Sequence, residues 1–454
     1  MRFHPASTVF VLAATLLTAR AQGVEWHVAA GGTGGGSASA PFGQIQDALD
    51  VARPGDVIVV GPGTFSGALR SVRDGAAGQP ITIRAANGRG STIVTSPGRV
   101  LTVSHAYLAI EGLVLDGQYG VNDLVRLAAS ATGFVLRDTE VRRTSRDAID
   151  MGAVRDVLIE NSLVHHALNA DNGRTDAHGI VGGAVQGLTI RNTEIHTFSG
   201  DGVQVDAGRS APGWNDVTIE GCRIWLAPLA SPENGFPAGI VPGENAVDTK
   251  ASASLPRARI TIRNTEAWGF RGPSSLTNLA AFNLKENIDA TVDGVTVYDS
   301  EIAFRLRHPA QVRVQNAVVH GVEVAFRYED GITNLRIWNS TLGNAVSSPF
   351  RAASSSSRGL NVRNLLRLGS SLPAEASEPS NLAVDAAAFV DAAAHNYQIS
   401  ASSPALDAGV RISEVATDRE GTPRPQGKAY DVGAYERAPR TGPPPAPANL
   451  RVIR

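Results

Sequence analysis

The sequence predicts an all-β solenoid, on three observations. A short phrase in which apolar and polar residues alternate with period two, as in a strand, recurs seven times between Ala148 and Glu329. A second phrase, an apolar strand that stops at Asn or Gly, follows the first. Where the spacing is shortest, the coil repeats every 22 to 23 residues. A repeat of this size in a strand-rich chain is typical of stacked coils.

The copies of the first phrase align as one strand per coil. They are AIDMG (148–152), AHGIV (177–181), GVQVD (202–206), AVDTK (246–250), AFNLK (281–285), AFRLR (303–307) and AFRYE (325–329). The alignment predicts two outward columns in which acidic residues dominate the early coils and basic residues the later ones. The first column is Asp150, Gly179, Gln204, Asp248, Asn283, Arg305 and Arg327. The second is Gly152, Val181, Asp206, Lys250, Lys285, Arg307 and Glu329.

The second phrase ends at a residue type that accepts a left-handed backbone. The residues at this point are Asn161, Asn192, Gly221, Asn264, Gly294, Asn316 and Asn339. Asn and Gly tolerate the positive φ of such a turn better than other residues. We therefore expect a ladder of Asn side chains along one corner of the solenoid.

Composition and the chain ends limit the class of protein. Residues 1–21 have the charged start, apolar run and A-x-A site of a secretory signal peptide, so we expect a secreted protein, extracellular or periplasmic. No later segment approaches the roughly 20 apolar residues of a membrane helix, so no membrane span is expected. Lys plus Arg number 41 and Asp plus Glu 43, which gives no electrostatic case for nucleic acid as a partner. We expect a monomer in which Cys222 is a buried small residue.

One domain is expected over 22–436, followed by a Pro-rich flexible tail over 437–454. Its C-terminal closing segment begins at about residue 375. Extra residues lie beside the first strand of the middle coils, at 165–175, 207–216, 226–243 and 272–279. Insertions grouped on one face usually build the walls of a binding cleft.

Two segments and the repeats carry a resemblance to a known superfamily. PFGQIQDALDVARPGDVIVVGPGTF (41–65) looks like its entry segment, an amphipathic capping helix and the first strand, and DREGTPRPQGKAYDVGAYE (418–436) is similar to its closing segment. Residues 24–436 thus resemble the secreted right-handed parallel β-helix proteins of the pectate-lyase-like superfamily. The resemblance implies a right-handed single-stranded parallel β-helix with an N-terminal capping helix.

The outward columns carry the candidate functional residues. Lys250, Lys285 and Arg307 fall in one row, and like charges on neighbouring strands favour a bound anion that spans several coils, although an ordinary solvated face is the alternative. Eliminative cleavage of an acidic, uronate-containing polysaccharide needs a neutralised carboxylate, a base for the C5 proton and help for the leaving oxygen. The expected catalytic residues are Lys250, Lys285, Arg305 and Arg307. The expected substrate-binding residues are Asn283, Arg327, His308 and Gln204.

Calcium is one means of neutralising a substrate carboxylate. Asp206, Glu244 and Asp248 are grouped closely enough in the predicted columns to hold one ion through oxygen ligands. We therefore expect Ca²⁺ as a cofactor, with these three residues as its ligands.

A local resemblance supports a lyase. ENAVDTKAS (244–252) looks like the metal-and-lysine strand of the alginate lyase and chondroitinase B family, and LRH (306–308) looks like its arginine strand. The resemblance implies Lys250 as the base, Asn245 as a metal ligand and Arg307 as the acid-side residue. The chain departs from the pattern because the family's glutamate ligands are replaced by Gly243 and Asn245, and because Arg307 lies two coils from Lys250.

A second polar cluster and other activities remain open. TDAHGIVGG (175–183) and SGDGVQVD (199–206) are similar to segments of polygalacturonases, but Asx turns explain Asp147, Asp176 and Asp201. In this alignment His178 falls in an inward column, as a core residue. A uronan C-5 epimerase, a glycoside hydrolase or a non-catalytic glycan-binding scaffold could use the same fold, because fold does not determine function.

Overall fold

The computed structural model describes residues 23–170, 176–206, 212–308, 310–329, 331–332, 334–354 and 359–438. Within these residues, almost all strands belong to three parallel sheets, of 11, 13 and 13 strands. Each coil contributes one strand to each sheet in turn, so that every strand pairs with its equivalents in the coils before and after it. The prediction of a right-handed parallel β-helix is therefore confirmed. The predicted signal peptide (1–21) and residues 439–454 of the predicted tail lie outside the described residues.

Sheet I is formed by the first phrase of the repeat. Its strands are Leu69–Arg70, Leu101–Val103, Val125–Leu127, Ile149–Met151, Ile180–Gly182, Val203–Asp206, Asn245–Lys250, Ala280–Lys285, Ser300–Arg307, Val322–Tyr328 and Val346–Ala352.

Sheet II is formed by the second phrase. Its strands are Glu25–Val28, Val57–Val60, Ile81–Ala85, Leu108–Glu111, Val135–Arg137, Arg155–Glu160, Gln186–Arg191, Asn215–Glu220, Ala258–Arg263, Ile288–Asp293, Gln311–Gln315, Asn334–Trp338 and Leu360–Arg363.

Sheet III follows the Asn or Gly corner. Its strands are Gly63–Ser66, Thr92–Thr95, Val114–Gly120, Glu140–Thr144, Leu163–Ala167, Glu194–Phe198, Arg223–Trp225, Glu266–Trp268, Thr296–Tyr298, Val318–Val319, Thr341–Leu342, Leu366–Leu368 and Leu382–Val384.

The core fills the space between the three sheets, because alternate residues of each strand point inward. Under the later part of sheet I the inward residues form a stack of rings. Phe282, Phe304, Phe326 and Phe350 lie with successive ring centroids 5.4, 5.1 and 5.4 Å apart. The first three of these side chains are fully buried. This stack supports the outward residues that alternate with it.

Both ends of the solenoid are covered. The helix Ile45–Val51 buries Ile45, Ala48 and Leu49 against the first coils, which confirms the predicted capping helix. At the other end, the closing segment begins with two short 3₁₀ helices (Ala374–Ala376 and Ala386–Ala388) and an antiparallel pair (Phe389–Asp391 and Asn396–Ile399), and it packs on the last coils.

The closing segment is held by a buried arginine. Arg424 Nη1 lies 2.9 Å from Glu436 Oε2, and both side chains are fully buried. The other nitrogen, Nη2, donates to the carbonyl of Gly433 (3.0 Å) and to Asn316 Oδ1 (3.3 Å) in a coil of the solenoid. The guanidinium therefore joins the closing segment both to itself and to the β-helix.

The corner after sheet II is the predicted Asn ladder. All seven predicted positions have positive φ, from 43° at Asn339 to 67° at Gly294. Asn192 Nδ2 donates to Asn161 Oδ1 over 3.3 Å, so the side chains of adjacent coils are joined. At Gly221 an added Cβ would lie 2.5 Å from Asn192 Oδ1, which explains why this coil has glycine.

Sheet II also carries a row of alternating charges at or next to the last residue of its strands. In register from coil to coil, the row is Arg84, Glu111, Arg137, Glu160, Arg191, Glu220, Arg263 and Asp293. Arg137 bridges the carboxylates on both sides, at 2.8 Å from Glu111 and 2.6 Å from Glu160. Opposite charges on directly opposed residues stabilise neighbouring strands.

Candidate functional site

The outward face of sheet I has the predicted columns with one correction of register. Asp150 pairs with Val181, and Val181 with Gln204, so Val181 and not Gly179 belongs to the first column. From Gln204 onward the order of the first column is as predicted, through Asp248 and Asn283 to the arginines. The strand Ile180–Gly182 is thus shifted by two residues from its predicted alignment. The shift moves His178 to a position before the start of this strand.

Lys285, Asp248 and Lys250 form an ion-pair cluster in the middle of the columns. Lys285 Nζ lies 3.0 Å from Asp248 Oδ1, and Lys250 Nζ lies 3.8 Å from Asp248 Oδ2. Asn283 Nδ2 also donates to Asp248 Oδ1, at 2.8 Å. The Lys285 side chain is 13% exposed and that of Lys250 is 37% exposed, so Lys250 is the lysine more open to a ligand.

Side chains of neighbouring residues hold the backbones of the two lysines in place. Thr249 points inward, and its hydroxyl both accepts from the amide of Lys285 (2.8 Å) and donates to the Lys285 carbonyl (3.1 Å). The indole Nε1 of buried Trp214 donates to the carbonyl of Lys250 over 2.8 Å. These bonds fix where each side chain begins, which is a requirement for a precise site.

Three arginines surround one carboxylate at the basic end of the columns. Glu329 Oε1 lies 2.8 Å from Arg305 Nε and 3.2 Å from Arg307 Nε, and Oε2 lies 3.5 Å from Arg327 Nη2. Burial opposes ionisation of Glu329, but the three arginines outweigh it and hold the pKa of Glu329 below its ordinary value. His308, which follows Arg307, has a left-handed backbone (φ 57°) and is half-buried.

A buried polar cluster lies beside the acidic end of the columns. Asp147, His178, Asp201 and Asn245 occupy equivalent positions, two residues before the first inward residue of each strand. Asp147 Oδ1 lies 2.8 Å from His178 Nδ1, and Asp201 is bound by Asn245 Nδ2 (2.7 Å) and Gln204 Nε2 (2.9 Å). Gln204 Nε2 also lies 2.7 Å from His178 Nε2. His178 is thus part of a polar network and not of the apolar core, contrary to the prediction.

The ring of His178 is closely enclosed. A Cβ at Gly200 would lie 2.7 Å from His178 Cδ2, so the next coil must have glycine at this point. Burial disfavours the charge on His178, but the carboxylates led by Asp147 outweigh it and raise its pKa above the ordinary value. The interpretation of Asp147 and Asp201 as Asx turns is therefore incomplete, because both carboxylates take part in this network.

Two carboxyl groups between the lysines and this network, those of Glu244 and Asp248, have raised pKa values. Burial, followed by the charges of Asp201 and Asp176, raises the pKa of Glu244 to about 7. Burial and Asp201 also raise the pKa of Asp248, although its lysine partners act in the opposite direction. Strongly shifted carboxyls in a cleft are typical of functional sites, and also occur in structural ion-pair networks.

The predicted calcium ligands do not form a cation site. Within the described part of the chain, no three His, Cys, Asp or Glu side chains are grouped to hold a metal ion. Asp248 is occupied by two ammonium groups, and Asp206 pairs in register with Lys250 and is partly exposed. An oxygen cage for Ca²⁺ needs its carboxylates free of such competitors. Calcium thus stays a prediction from sequence, and these donors do not fit it.

Two of the predicted insertions form walls beside sheet I. In the insertion 226–243, Glu233 binds the hydroxyl of Tyr119, and Asn234 Nδ2 donates to Ser145 Oγ over 2.9 Å. A cavity of about 720 Å³ lies under this loop, lined by Arg146, Asn169 and five other residues. In the insertion 272–279, Asn278 binds Arg327 of the column. Residues 171–175 and 207–211 of the other two insertions lie outside the described residues.

Lysine usage is a signal that the sequence analysis did not use. The chain has only three lysines, Lys250, Lys285 and Lys428, although Lys and Arg together number 41. Two of the three lie in one column on adjacent coils. Since arginine is the usual cation of this chain, lysine at these two positions indicates a role that guanidinium does not fulfil. The buried Cys222, whose pKa burial raises to about 11, is confirmed as a small core residue.

Comparison with solved structures finds the same fold in polysaccharide lyases. A pectate lyase superposes with a TM-score of 0.53 and 18% identity, over 92% of this chain and 97% of that one. A rhamnogalacturonan lyase superposes with a TM-score of 0.54 and 14% identity, over 81% and 91%. An alginate lyase from Paenibacillus sp. has a TM-score of 0.46 and 20% identity, over 68% and 96%. The resemblance to the pectate-lyase-like β-helix proteins is confirmed at the level of fold.

Sequence comparisons add nothing to this. No family model matches the chain, and no curated protein matches it significantly. Among the described helices, none is long and apolar enough to cross a membrane.

Proposed function

We propose that this protein is a polysaccharide lyase that cleaves an acidic, uronate-containing chain by β-elimination, in the cleft along sheet I. The observation that carries the proposal is the charge of the two columns from Asp248 to Glu329. Over these four adjacent coils, the two columns contain five cationic side chains and only two carboxylates. Such an excess favours a polyanion that runs along the coils. The polysaccharide lyases that share the fold are consistent with it.

The cations divide into a base and a carboxylate clamp. Lys250 is the more exposed lysine and lies at the boundary of the acidic and basic coils, which suits a base for the C5 proton. Lys285, ion-paired and more deeply buried, and the arginines suit the substrate carboxylate, because a guanidinium can bind it with two parallel hydrogen bonds. Gln204 and Asn283 lie in the same column, but both are buried and donate to Asp201 and Asp248, so they position those carboxylates.

The reaction then follows from these roles. In its neutral amine form, the Lys250 Nζ takes the C5 proton, the C–H electron pair forms the C4–C5 double bond, and the C4–O bond breaks. The leaving oxygen takes up a proton, for which Arg307 is the donor that the family resemblance implies. The clamp stabilises the charge that develops on the carboxylate as the proton leaves. No step is assigned to a metal.

The experiment is incubation of the purified protein with pectate, alginate and glycosaminoglycans, with and without a chelator. Growth of ultraviolet absorbance from an unsaturated product is expected on one of these polymers, equally with chelator. Polymer that changes its uronate composition without cleavage would indicate an epimerase. Polymer that is retained on a gel but never altered would indicate a binding module.

Replacement of Lys250 by Ala is expected to reduce kcat to the background level while leaving the fold intact. The Ala side chain cannot accept the C5 proton, whereas the strand keeps its backbone bonds. Lys428→Ala is the matched control, because Lys428 is exposed in the closing segment. Progress curves and circular dichroism of both variants provide the measurement. Retained activity in Lys250→Ala would transfer the role of base to Lys285.

A glycoside hydrolase is the second candidate, and Glu244 favours it. A carboxyl with a pKa of about 7 beside an ionised carboxylate is what a hydrolase uses as its general acid. Asp201 provides the neighbouring carboxylate. A hydrolase would release reducing ends without any gain in ultraviolet absorbance, and Glu244→Gln would abolish that release.

A further inference from the structure

Glu329 occupies a position that a ligand's acidic group would suit. Its carboxylate is the shared partner of Arg305, Arg307 and Arg327, which come from two adjacent strands of sheet I. The residue is 8% exposed, and the three arginine side chains are 18 to 24% exposed. Three guanidinium groups share this one carboxylate.

The neighbouring coil contains a buried hydrogen-bond acceptor, the amide oxygen of Asn283, that has no donor. Asn283 is 5% exposed, and its Oδ1 is buried and has no hydrogen-bond partner. Asn283 and Arg305 are register partners, about 4.8 Å apart. A buried carbonyl oxygen without a partner destabilises the fold. Arg305 could satisfy this oxygen, but its Nε donates to Glu329 instead.

The insertion 272–279 fixes the other side of the cluster. Asn278 Oδ1 accepts a hydrogen bond from Arg327 Nη1, so Arg327 remains in position whatever Glu329 does. Arg327 therefore has a partner of its own in Asn278, whereas Asn283 Oδ1 beside Arg305 is an acceptor without a donor.

We propose that Glu329 is an internal counter-anion in a subsite for one acidic group, and that a carboxylate or sulfate of the ligand displaces it from the three arginines. Arg305, released from Glu329, then donates to Asn283 Oδ1. Because a ligand must compete with Glu329, weakly charged or neutral chains are rejected. The inference rests on the proposed function for the polysaccharide source of that group, but the subsite itself can be tested with inorganic sulfate.

The first arm of the test uses sulfate at constant ionic strength with wild type, Glu329→Gln and Glu323→Gln. Glu323 is exposed on the same strand, so its variant controls for net charge. The proposal predicts that Glu329→Gln melts at a lower temperature without sulfate and recovers as sulfate is added. It also predicts a Kd for sulfate about tenfold lower than that of wild type or the control. If all three proteins respond alike, the proposal is wrong.

The second arm measures binding of polygalacturonate and of neutral dextran by affinity electrophoresis. Tighter binding of polygalacturonate by Glu329→Gln supports the displacement. Weaker binding by a folded Glu329→Gln would overturn it, since Glu329 would then orient the arginines for the ligand. Should Glu329→Gln not fold, Glu329→Asp keeps the charge on a shorter side chain and should show the tighter sulfate binding. Absence of uronan binding by wild type would count against the proposed function, whereas the sulfate arm still decides the role of Glu329.

Discussion

At the scale of single residues, burial and, after it, the proximity of like charges determine how Glu244 in the cleft responds to pH. Glu244 is partly buried and lies near the carboxylates of Asp201 and Asp176, which is why its pKa rises from 4.5 to about 7. A group that binds its proton more tightly in the folded state stabilises the fold only while it is protonated. Glu244 therefore makes the folded protein less stable as the pH rises from 4.5 through 7.

Glu244→Gln is expected to remove this loss. Each pKa unit corresponds to about 1.4 kcal/mol, so the gain in unfolding free energy over wild type should approach about 3 kcal/mol above pH 7 and vanish near pH 4. Partial solvent screening of Glu244 makes this an upper value. Denaturant unfolding at pH 4, 6 and 8 measures the difference. A gain independent of pH, or one equally present in Glu323→Gln, would contradict the explanation.

The residues of this network are also where sequence reasoning failed. The alignment put Gly179 in the first column, but a shift of two residues keeps every side chain on the same face, so the alternation of apolar and polar residues could not reveal it. With Val181 in that column, His178 moves from the core to the polar network. In contrast, the strands from Gln204 to Glu329 have large apolar residues at almost every inward position, with Thr249 as an exception, so their columns were predictable.

At the scale of elements, the stack of Phe rings connects the core to the site. Phe304 is inward between Ala303 and Arg305, and its ring lies between those of Phe282 and Phe326. The outward residues of sheet I alternate with these rings, so any shift of the stack moves the arginines. The sequence predicted this alternation, because strand side chains have period two.

Phe304→Ala is expected to destabilise the protein by about 3–5 kcal/mol, since it leaves a cavity within a fully buried stack. It should also weaken polyanion binding through the displaced Arg305. Phe304→Leu, which fills most of the space, should cost less than half as much. Unfolding curves and affinity electrophoresis measure the two effects. Equal stability of the Ala and Leu variants would show that the stack does not support the strand.

The walls of the cleft could be predicted only in part. The positions of the insertions follow from the irregular spacing of the repeat. Their contacts do not, because Glu233 reaches Tyr119 over 114 residues of sequence and no periodicity relates the two. The surroundings of Asp248 could not be predicted for a similar reason. Spacing along the columns brought Asp248 near other carboxylates, but it did not reveal that Lys285 and Lys250 occupy its oxygens.

At the scale of the whole molecule, the ends of a solenoid need a cover. Each inner coil packs between two neighbouring coils, whereas the last coil has only one neighbour. The closing segment supplies the missing cover, and Arg424 holds it. Its ion pair with Glu436 is completely buried, so removal of one partner leaves an uncompensated charge.

Arg424→Met is therefore expected to lower the free energy of unfolding by about 3–5 kcal/mol. We expect the closing segment to detach first and expose the edges of the last strands, which then pair between molecules. Proteolysis at the closing segment and light scattering on warming measure this. Arg437→Met, at the partly exposed end of the same segment, is the control. Arg424→Met that resists protease as wild type does would refute this role.

The alternating charges of sheet II have a consequence for how such a molecule can change its length. Each coil contributes one residue to the row from Arg84 to Asp293, but the sign of the charge recurs only at every second coil. Deletion or duplication of one coil would bring two like charges side by side, whereas gain or loss of two coils would preserve every pair. The backbone alone would accept any number of coils. In this region we therefore expect natural and engineered variants of the chain to lengthen or shorten by pairs of coils.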